Sequence, residues 1–241
     1  FMNSAGNEKP LSLIASAHEQ DGTLRSKVQR QLRNAILDGR YSAGQKLVER
    51  ELCELTGASR SILREALVGL EASGLVESES YRGYRVTLLG VRKICEIFEL
   101  RASLETQAAE LFAERASDAE MVELQSLLVE LEESVVNADL PAMRLIKERY
   151  YELLFNGCRN GEIRRALENI IDRVHYLRAR LMSSADRRAV SLAEMKRLTT
   201  ALLARDQLAA RAASLAHLAA ARDAVLESMA QNPDVTEMAA L

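Results

Sequence analysis

The sequence predicts a mostly α-helical protein with two folded domains: three helices with a β-hairpin at the N-terminal end, then an all-α bundle of six helices. Leucine and alanine are abundant among the 241 residues, whereas only 3 are proline and 11 are glycine. Helix is therefore favoured over a turn-rich β fold. The hydrophobic share of 48% is enough for a packed core. No apolar run reaches the roughly 20 residues that span a bilayer, and we expect a cytoplasmic protein.

The patterning divides the chain into four segments. Residues 1–20 show no sustained period and are expected to be a flexible arm; residues 21–89 and 90–231 form the two domains, and residues 232–241 a polar tail. The first domain carries 11 Lys and Arg against 9 Asp and Glu, although the net charge of the chain is −3. This basic excess is too small to establish nucleic-acid binding, so the positions of the charges must decide.

Local signals place three helices in the first domain. The first begins near Thr23 and ends at Gly39, and its apolar face is formed by Leu24, Val28, Leu32, Ile36 and Leu37. The second covers residues 48–56 and is closed by Gly57, and the third begins after Ser59, a good N-cap, and stops at Gly74. The second and third helices therefore form a helix-turn-helix.

Two short stretches rich in β-favouring residues follow, at 75–77 and 84–87, with a polar tip between them. They predict a hairpin wing, so that the first domain is a winged helix-turn-helix.

The second domain is predicted to consist of helices at residues 90–115, 118–137, 140–158, 161–182, 192–203 and 206–230. Two start signals fit the capping box, in which a hydroxyl and a carboxylate three residues later each satisfy a free backbone amide: Ser117 with Glu120, and Ser191 with Glu194. Asp139, Asn160 and Asp206 can cap three others.

The third helix carries the candidate DNA-reading residues. On a helical wheel Arg60, Ser61 and Arg64 fall on one arc, opposite the apolar residues of the helix. Such a helix end suits the major groove, because arginine can donate two hydrogen bonds to guanine. At the hairpin tip, Arg82 and Gly83 can approach the DNA backbone or the minor groove. The alternative is that the two arginines of the helix form surface salt bridges with Glu65 or Glu51.

This region resembles the winged helix of GntR-family bacterial transcription regulators. The motifs that carry the resemblance are Gly39-x4-Gly44-x2-Leu47, Glu49-Arg50-Glu51-Leu52-x4-Gly57-Ala58-Ser59-Arg60, Leu63-Arg64-Glu65-Ala66-Leu67-x2-Leu70 and Gly74-Leu75-Val76. The helical remainder resembles the FadR-type effector domain, called FCD. The resemblance implies a homodimer that binds a short palindromic operator. It also implies DNA contacts by Arg50, Ser59, Arg60, Ser61, Arg64 and Gly83.

Arg101 is the first candidate in the helical domain. It stands between Ile97 and Leu104, at a position where the apolar period expects a core residue. Since a buried guanidinium must be paired, it should meet Glu105, another internal acid or the anion of a ligand. The resemblance favours the ligand, because FadR-type domains carry an arginine here that points into the cavity.

The resemblance also implies a divalent-metal site in many relatives, built from one aspartate and three histidines. The matching positions here hold Lys147, Tyr151, Met195 and His217. A lysine, a tyrosine and a thioether do not replace such ligands, so no metal is expected. Met195 and Glu194 are interpreted as a core residue and a capping carboxylate, respectively.

Lys147 could instead attract the anionic group that the metal attracts in related proteins; the alternative is a solvent-facing lysine paired with Glu148 or Tyr151. Tyr151, Arg178 and His217 are further candidates for the effector lining. His217 could equally be a satisfied core histidine.

We therefore interpret the chain as a sequence-specific DNA-binding transcriptional regulator, a repressor of a catabolic operon. A small carboxylate-type effector would modulate operator binding without any cofactor. One alternative is an architectural or constitutive DNA-binding protein whose helical domain only dimerises. An enzyme using His217, Tyr151 and Lys147 as acid–base groups is disfavoured, because the sequence shows no activated nucleophile and no phosphate loop.

Overall fold

The computed structural model describes residues 23–79, 83–168, 170–181 and 185–230, with backbone alone for residues 178–181. The predicted arm at 1–20 and the predicted tail at 232–241 lie outside the described residues, as does Arg82. The predicted fold class is confirmed: a helix-turn-helix with a small antiparallel sheet is followed by an all-helical domain. In the described part of the chain, no helix is long and apolar enough to cross a bilayer.

The described part of the N-terminal domain contains three helices and three strands. In chain order they are α1 (Leu24–Leu37), β1 (Lys46–Leu47), α2 (Glu49–Thr56), α3 (Arg60–Ala72), β2 (Val76–Glu79) and β3 (Gly83–Val86). The turn between α2 and α3 is tight because Gly57 adopts a left-handed conformation, with φ at 67°, and Ser59 caps α3 by accepting a hydrogen bond from the Ile62 amide. The predicted helix-turn-helix is confirmed.

The wing is a three-stranded sheet rather than a simple hairpin. Strand β3 lies between β1 and β2 and pairs antiparallel with both, so that Arg85 lies opposite Lys46 on one side and Glu77 on the other. The two-residue strand β1 is too short to show an alternating pattern, which explains why the sequence did not predict it. Arg85 also donates hydrogen bonds to Glu77 and Glu79 of β2, at 2.6 and 2.9 Å.

The C-terminal domain is a helical bundle. Its helices are α4 (Val91–Arg115), α5 (Asp118–Val136), α6 (Leu140–Gly157), α7 (Gly161–Glu168), α8 (Ile171–Leu181), α9 (Ala185–Leu203) and α10 (Gln207–Ala230). Helix α4 packs along α10 and also against α6 and α9, while α5 packs between α6 and α9. The long helix α4 thus forms the centre of the bundle and carries Arg101 into it.

Two helix boundaries differ from the prediction. The single helix expected at 161–182 is divided into α7 and α8 at Ile170, whose amide bonds the Leu167 carbonyl and whose carbonyl accepts from Val174. Because Leu167, Ile170 and Val174 keep a helical spacing across the break and are all buried, the apolar period gave no sign of it. The described domain therefore has seven helices in place of six.

The predicted start of a helix at 192 is wrong. Helix α9 begins at Ala185, so Ser191 lies inside it and does not cap it. The capping box at Ser117 and Glu120 is present, and Asp139, Asn160 and Asp206 accept amide hydrogen bonds at the starts of α6, α7 and α10 as predicted. The Ser191 hydroxyl and the Glu194 carboxylate are buried and bond to other helices and side chains instead.

Candidate DNA interface and effector site

Helix α3 presents one polar and one apolar face. Arg60, Ser61 and Arg64 are exposed, whereas Leu63 and Leu70 are completely buried against α1 and the sheet. This is the separation that the helical wheel predicts. The helix begins at the exposed surface, so its first-turn amides and its arginines can approach a duplex together.

A shallow groove of about 590 Å³ lies along the exposed face of α3. It is lined by Arg25, Arg60, Ser61, Arg64, Glu65 and Val68. Arg25 lies in the first turn of α1 and was not predicted as a site residue, since no local pattern shows that α1 begins beside α3. The groove therefore brings a third arginine to the predicted pair.

Arg64 is held by the preceding helix. Its Nε lies 3.0 and 3.1 Å from the two carboxylate oxygens of Glu49 in α2. The pair is a surface ion pair, but its partner is neither Glu65 nor Glu51. Arg60 makes no ion pair with any side chain in the described ranges.

The other predicted DNA residues are placed as follows. Arg50 is exposed on α2, and the Ser59 hydroxyl oxygen accepts the capping hydrogen bond from Ile62 while its proton stays available to a phosphate. Gly83 begins β3 with φ at +92°, a conformation that favours glycine. Arg82 lies outside the described residues. The roles of all seven predicted residues stay predictions.

Arg101 is buried in the centre of the helical domain, with 1% of its surface exposed. Its Nε donates to Glu105 at 2.6 Å, and its guanidinium carbon lies 4.7 Å from the centre of the Phe98 ring. Both terminal nitrogens, Nη1 and Nη2, are buried without a hydrogen-bond partner among the described residues. Glu105, one of the partners predicted from the sequence, thus satisfies only one of the three guanidinium nitrogens.

Two separate sets of hydrogen bonds join α6, α9 and α10. Lys147 is buried and donates to the Ser191 hydroxyl at 2.8 Å, so it is not the solvent-facing lysine of the alternative, and its contact with an effector stays a prediction. One turn further along α6, the Tyr151 hydroxyl lies 2.9 Å from Nε2 of His217, whose Nδ1 lies 2.7 Å from Glu194. Sequence reasoning missed Ser191 and Glu194 because their spacing fits a capping box.

His217 is neutral near pH 7. Burial lowers its pKa, as do the positive charges of Lys147 and Arg101, and these effects outweigh the hydrogen bond and the charge of Glu194. The ionised Glu194 can only accept, so Nδ1 of the neutral ring carries the proton and Nε2 accepts from Tyr151. His217 is therefore fully hydrogen-bonded, as the core-histidine interpretation expects. Its direct contact with a ligand stays a prediction.

Glu194 is fixed from two sides. Besides His217, it receives two hydrogen bonds of 3.0 Å from Nη1 and Nη2 of Arg187, two helical turns earlier in α9. Burial would raise the pKa of Glu194, but the hydrogen bonds and charges of these two partners hold it below its usual range. Because the carboxylate stays ionised, it maintains the proton on Nδ1 of His217.

This donor set does not suit a divalent metal of the kind the resemblance implies. Lys147 brings a cation to one ligand position, Met195 brings a fully buried thioether to another, and the Glu194 carboxylate is taken by Arg187 and His217. Within the described ranges, no three His, Cys, Asp or Glu side chains cluster as a metal site. Function without a metal stays a prediction. Arg178 belongs to α8, but its side chain lies outside the described part.

Comparison with known proteins gives matches for both domains. Residues 24–86 match the model for bacterial regulatory proteins of the gntR family, and residues 96–220 match the FCD domain. The uncharacterized HTH-type transcriptional regulator YdhC of Bacillus subtilis is 30% identical over 78% of this chain and 84% of its own.

Two further matches extend over most of the chain. The HTH-type transcriptional repressor GlaR of Escherichia coli is 28% identical over 84% of this chain and 96% of its own. The solved structure of E. coli McbR/YncC shares the fold, with a TM-score of 0.76 at 20% identity over 86% of this chain and 99% of that one.

Proposed function

The chain belongs to the GntR family of bacterial regulatory proteins and carries an FCD domain, and from this premise we propose that it represses a catabolic operon in response to a small carboxylate. It is a transcriptional regulator and not an enzyme. In this proposal a cytoplasmic homodimer binds a short palindromic operator, and the FCD domain binds the effector without a metal. The repressor GlaR, similar over most of the chain, supports the sign of regulation.

The exposed arginines of the first domain support sequence-specific binding. Arg60 and Arg64 can each donate two hydrogen bonds to the O6 and N7 atoms of a guanine, which distinguishes that base pair in the major groove. Arg25, on the neighbouring helix, can neutralise a phosphate and fix the position of α3 without reading sequence. In a symmetric dimer, two copies of α3 would read two half-sites about one helical turn apart.

The buried guanidinium of Arg101 is the observation that carries the effector proposal. Its Nη1 and Nη2 have no partner among the described residues, and an unsatisfied buried donor costs about 1 to 3 kcal/mol, more when it is charged. A carboxylate matches two parallel N–H donors of a guanidinium in one plane. Such an anion would satisfy both nitrogens with charge-assisted hydrogen bonds, which are about twice as strong as those to a neutral acceptor.

Lys147 is proposed as the second anchor of the effector. Its ammonium is buried and acts on the same histidine as Arg101, since the charges of both lower the pKa of His217. Tyr151 can turn its hydroxyl from His217 to a ligand, with His217 and Glu194 keeping the lining in place. Arg178 remains a predicted member of this lining.

Effector binding would act on DNA by linkage. If the carboxylate binds one arrangement of the helices more tightly, and that arrangement sets the separation of the two winged domains, carboxylate binding must change the affinity for the operator. The operator then changes the affinity for the carboxylate by the same factor. A preference of about 1 to 3 kcal/mol corresponds to a 5- to 150-fold change in affinity, enough for a switch.

Two experiments test the proposal. Selection from a random duplex library should enrich a short palindrome, and a thermal-shift panel of lactate, succinate, citrate, glutarate and gluconate should show stabilisation by at least one acid. Calorimetry with that acid should then show binding at least tenfold weaker in Lys147→Ala, about 1.4 kcal/mol.

The control is Arg149→Ala, on the same helix as Lys147, which removes an exposed cation paired with Glu130 of α5 and should leave binding unchanged. Elemental analysis of the purified protein should find no stoichiometric metal. If the selection enriches a palindrome but none of the acids stabilises the protein, the alternative is favoured, which is a DNA-binding protein whose helical domain only dimerises.

A further inference from the structure

Helix α6 carries two neighbouring sets of polar residues that point to different parts of the molecule. Lys147 and Tyr151, one turn apart, bond to Ser191 and His217 in the effector site. Arg144 and Glu148 are also one turn apart and contact each other at 3.0 Å. This second pair lies beside α1 of the DNA-binding domain.

Ion pairs connect α1 directly to α6 and α8. Arg33 of α1 donates from Nε to Asp172 of α8 at 2.5 Å, and its Nη1 lies 3.7 Å from Glu148. The Arg144 side chain of α6 lies 3.2 Å from the carboxylate of Asp38, the C-cap residue that follows α1. The DNA-binding domain is therefore tied to the effector domain by charged contacts at both ends of this junction.

Glu148 is the centre of this junction. Its carboxylate accepts from Arg144 and from Nδ1 of His175 in α8, at 3.0 and 2.9 Å, and faces Arg33. Burial would raise the pKa of Glu148, but the hydrogen bond and charge of His175 and the charges of Arg33 and Arg144 lower it to about 2. These three partners therefore stabilise the ionised form of the carboxylate in this arrangement.

The junction borders a cavity of about 230 Å³ that is lined by α6, α7 and α8, with Arg33 contributed by α1. Arg33, Glu148, His175, Phe155 and Tyr151 contribute to its lining. The cavity leaves space into which α6 or α8 can move without overpacking. Tyr151 lines this cavity and also bonds to His217, so the effector site and the domain junction share one side chain.

We propose that the ion-pair junction formed by Arg33, Asp38, Arg144, Glu148 and Asp172 is the device through which the DNA-binding domain responds to the effector site. The inference rests on the proposed function and specifies its regulation. Lys147 and Glu148 are consecutive residues of one rigid helix, so a shift of α6 toward an anion at Lys147 moves Glu148 relative to Arg33. The attraction between Arg33 and Glu148, 3.7 Å apart, is largest when α1 follows α6, so a shift of α6 favours a different angle of α1.

A double-mutant cycle on operator affinity tests this coupling without any effector. Lys147→Met perturbs the effector site, and Arg33→Met opens the junction while keeping a flexible apolar stem. Operator affinity is measured by fluorescence anisotropy, with the palindrome selected from the random library, for the wild type, both single variants and the double variant. We expect Lys147→Met to change the operator Kd at least fivefold in the wild-type background and less than twofold in the Arg33→Met background.

Arg149→Met provides the matched background. It removes an exposed arginine of α6 that pairs with Glu130 of α5, away from α1, and the fivefold effect of Lys147→Met should persist in it. If Arg33→Met does not fold, Glu148→Gln replaces it, since the amide keeps the shape and removes the charge. Circular dichroism confirms folding of each variant.

Two results would overturn the proposal. One is an equal effect of Lys147→Met with the junction intact and open, which would mean that coupling follows another route. The other is the absence of any effect in both backgrounds, which would mean that the DNA-binding domain does not respond to this site. Failure of the carboxylate panel would instead contradict the effector part of the proposed function, since the cycle uses no ligand.

Discussion

Arg64 of the recognition helix donates from Nε to both carboxylate oxygens of Glu49, at 3.0 and 3.1 Å, and so is oriented by the helix that precedes it. The Arg64 side chain is 67% exposed, and exposed ion pairs contribute little to stability. The contact therefore matters for the direction of the guanidinium. With Nε held by Glu49, the terminal nitrogens remain available to a base edge.

Arg64→Ala should weaken binding to the selected palindrome by about 1 to 3 kcal/mol, because a bidentate guanine contact is lost. Glu49→Gln should lower the ratio of specific to non-specific affinity, since it removes a repulsive charge near the phosphates and loosens Arg64. Anisotropy titrations with the palindrome and a scrambled duplex measure both. Arg92→Ala, at an exposed arginine in the first turn of α4, is the control; a palindrome-specific loss there would contradict the assignment.

Arg25 is expected to contact a phosphate and not a base, because it lies on α1 at the border of the groove along α3. Arg25→Ala should weaken binding to the palindrome and to the scrambled duplex by similar factors. The slope of log K against log salt should also decrease by about 1, the value for one lost phosphate contact. A loss confined to the palindrome would show instead that Arg25 reads sequence.

The DNA-binding half could largely be predicted from the sequence because its signals are local. A left-handed Gly57 followed by the N-cap Ser59 defines the turn within a few residues, and the alternation of exposed Arg64 with buried Leu63 follows from helix geometry. Arg25 could not be predicted, because its place beside α3 depends on the packing of two helices.

The effector site could be predicted in part only. Arg101 could be recognised as a charge in an apolar stripe. Lys147, Tyr151 and His217 could be recognised because they occupy positions that match the metal ligands of related proteins. Glu194 was misinterpreted because the local pattern of a serine followed three residues later by glutamate is the same for a capping box and for two buried residues within a helix. Only the contacts with Lys147 and His217, from α6 and α10, distinguish the two.

Arg101 should contribute to function at the expense of stability. Arg101→Met leaves the buried Glu105 without its guanidinium partner and should destabilise the protein by about 3 to 5 kcal/mol. The double variant Arg101→Met/Glu105→Leu removes both charges and should be at least as stable as the wild type, yet should show no thermal shift with the carboxylate that stabilises the wild type. Urea denaturation and the thermal-shift panel measure these quantities, and a retained shift would contradict the role of Arg101.

Acid should weaken the domain junction through Glu148. A carboxyl group whose pKa falls from about 4.5 to about 2 on folding contributes stability that is complete above pH 4.5 and is lost as the pH falls toward 2. The full contribution is about 3 kcal/mol, at 1.36 kcal/mol for each pKa unit. Glu148→Gln removes this linkage, so the difference in unfolding free energy between wild type and variant should be roughly 2 kcal/mol larger at pH 7 than at pH 3.

Urea denaturation at both pH values measures this difference, with Glu123→Gln, at an exposed carboxylate on α5, as the control. A difference independent of pH would show that Glu148 stabilises the junction through shape and not through its charge.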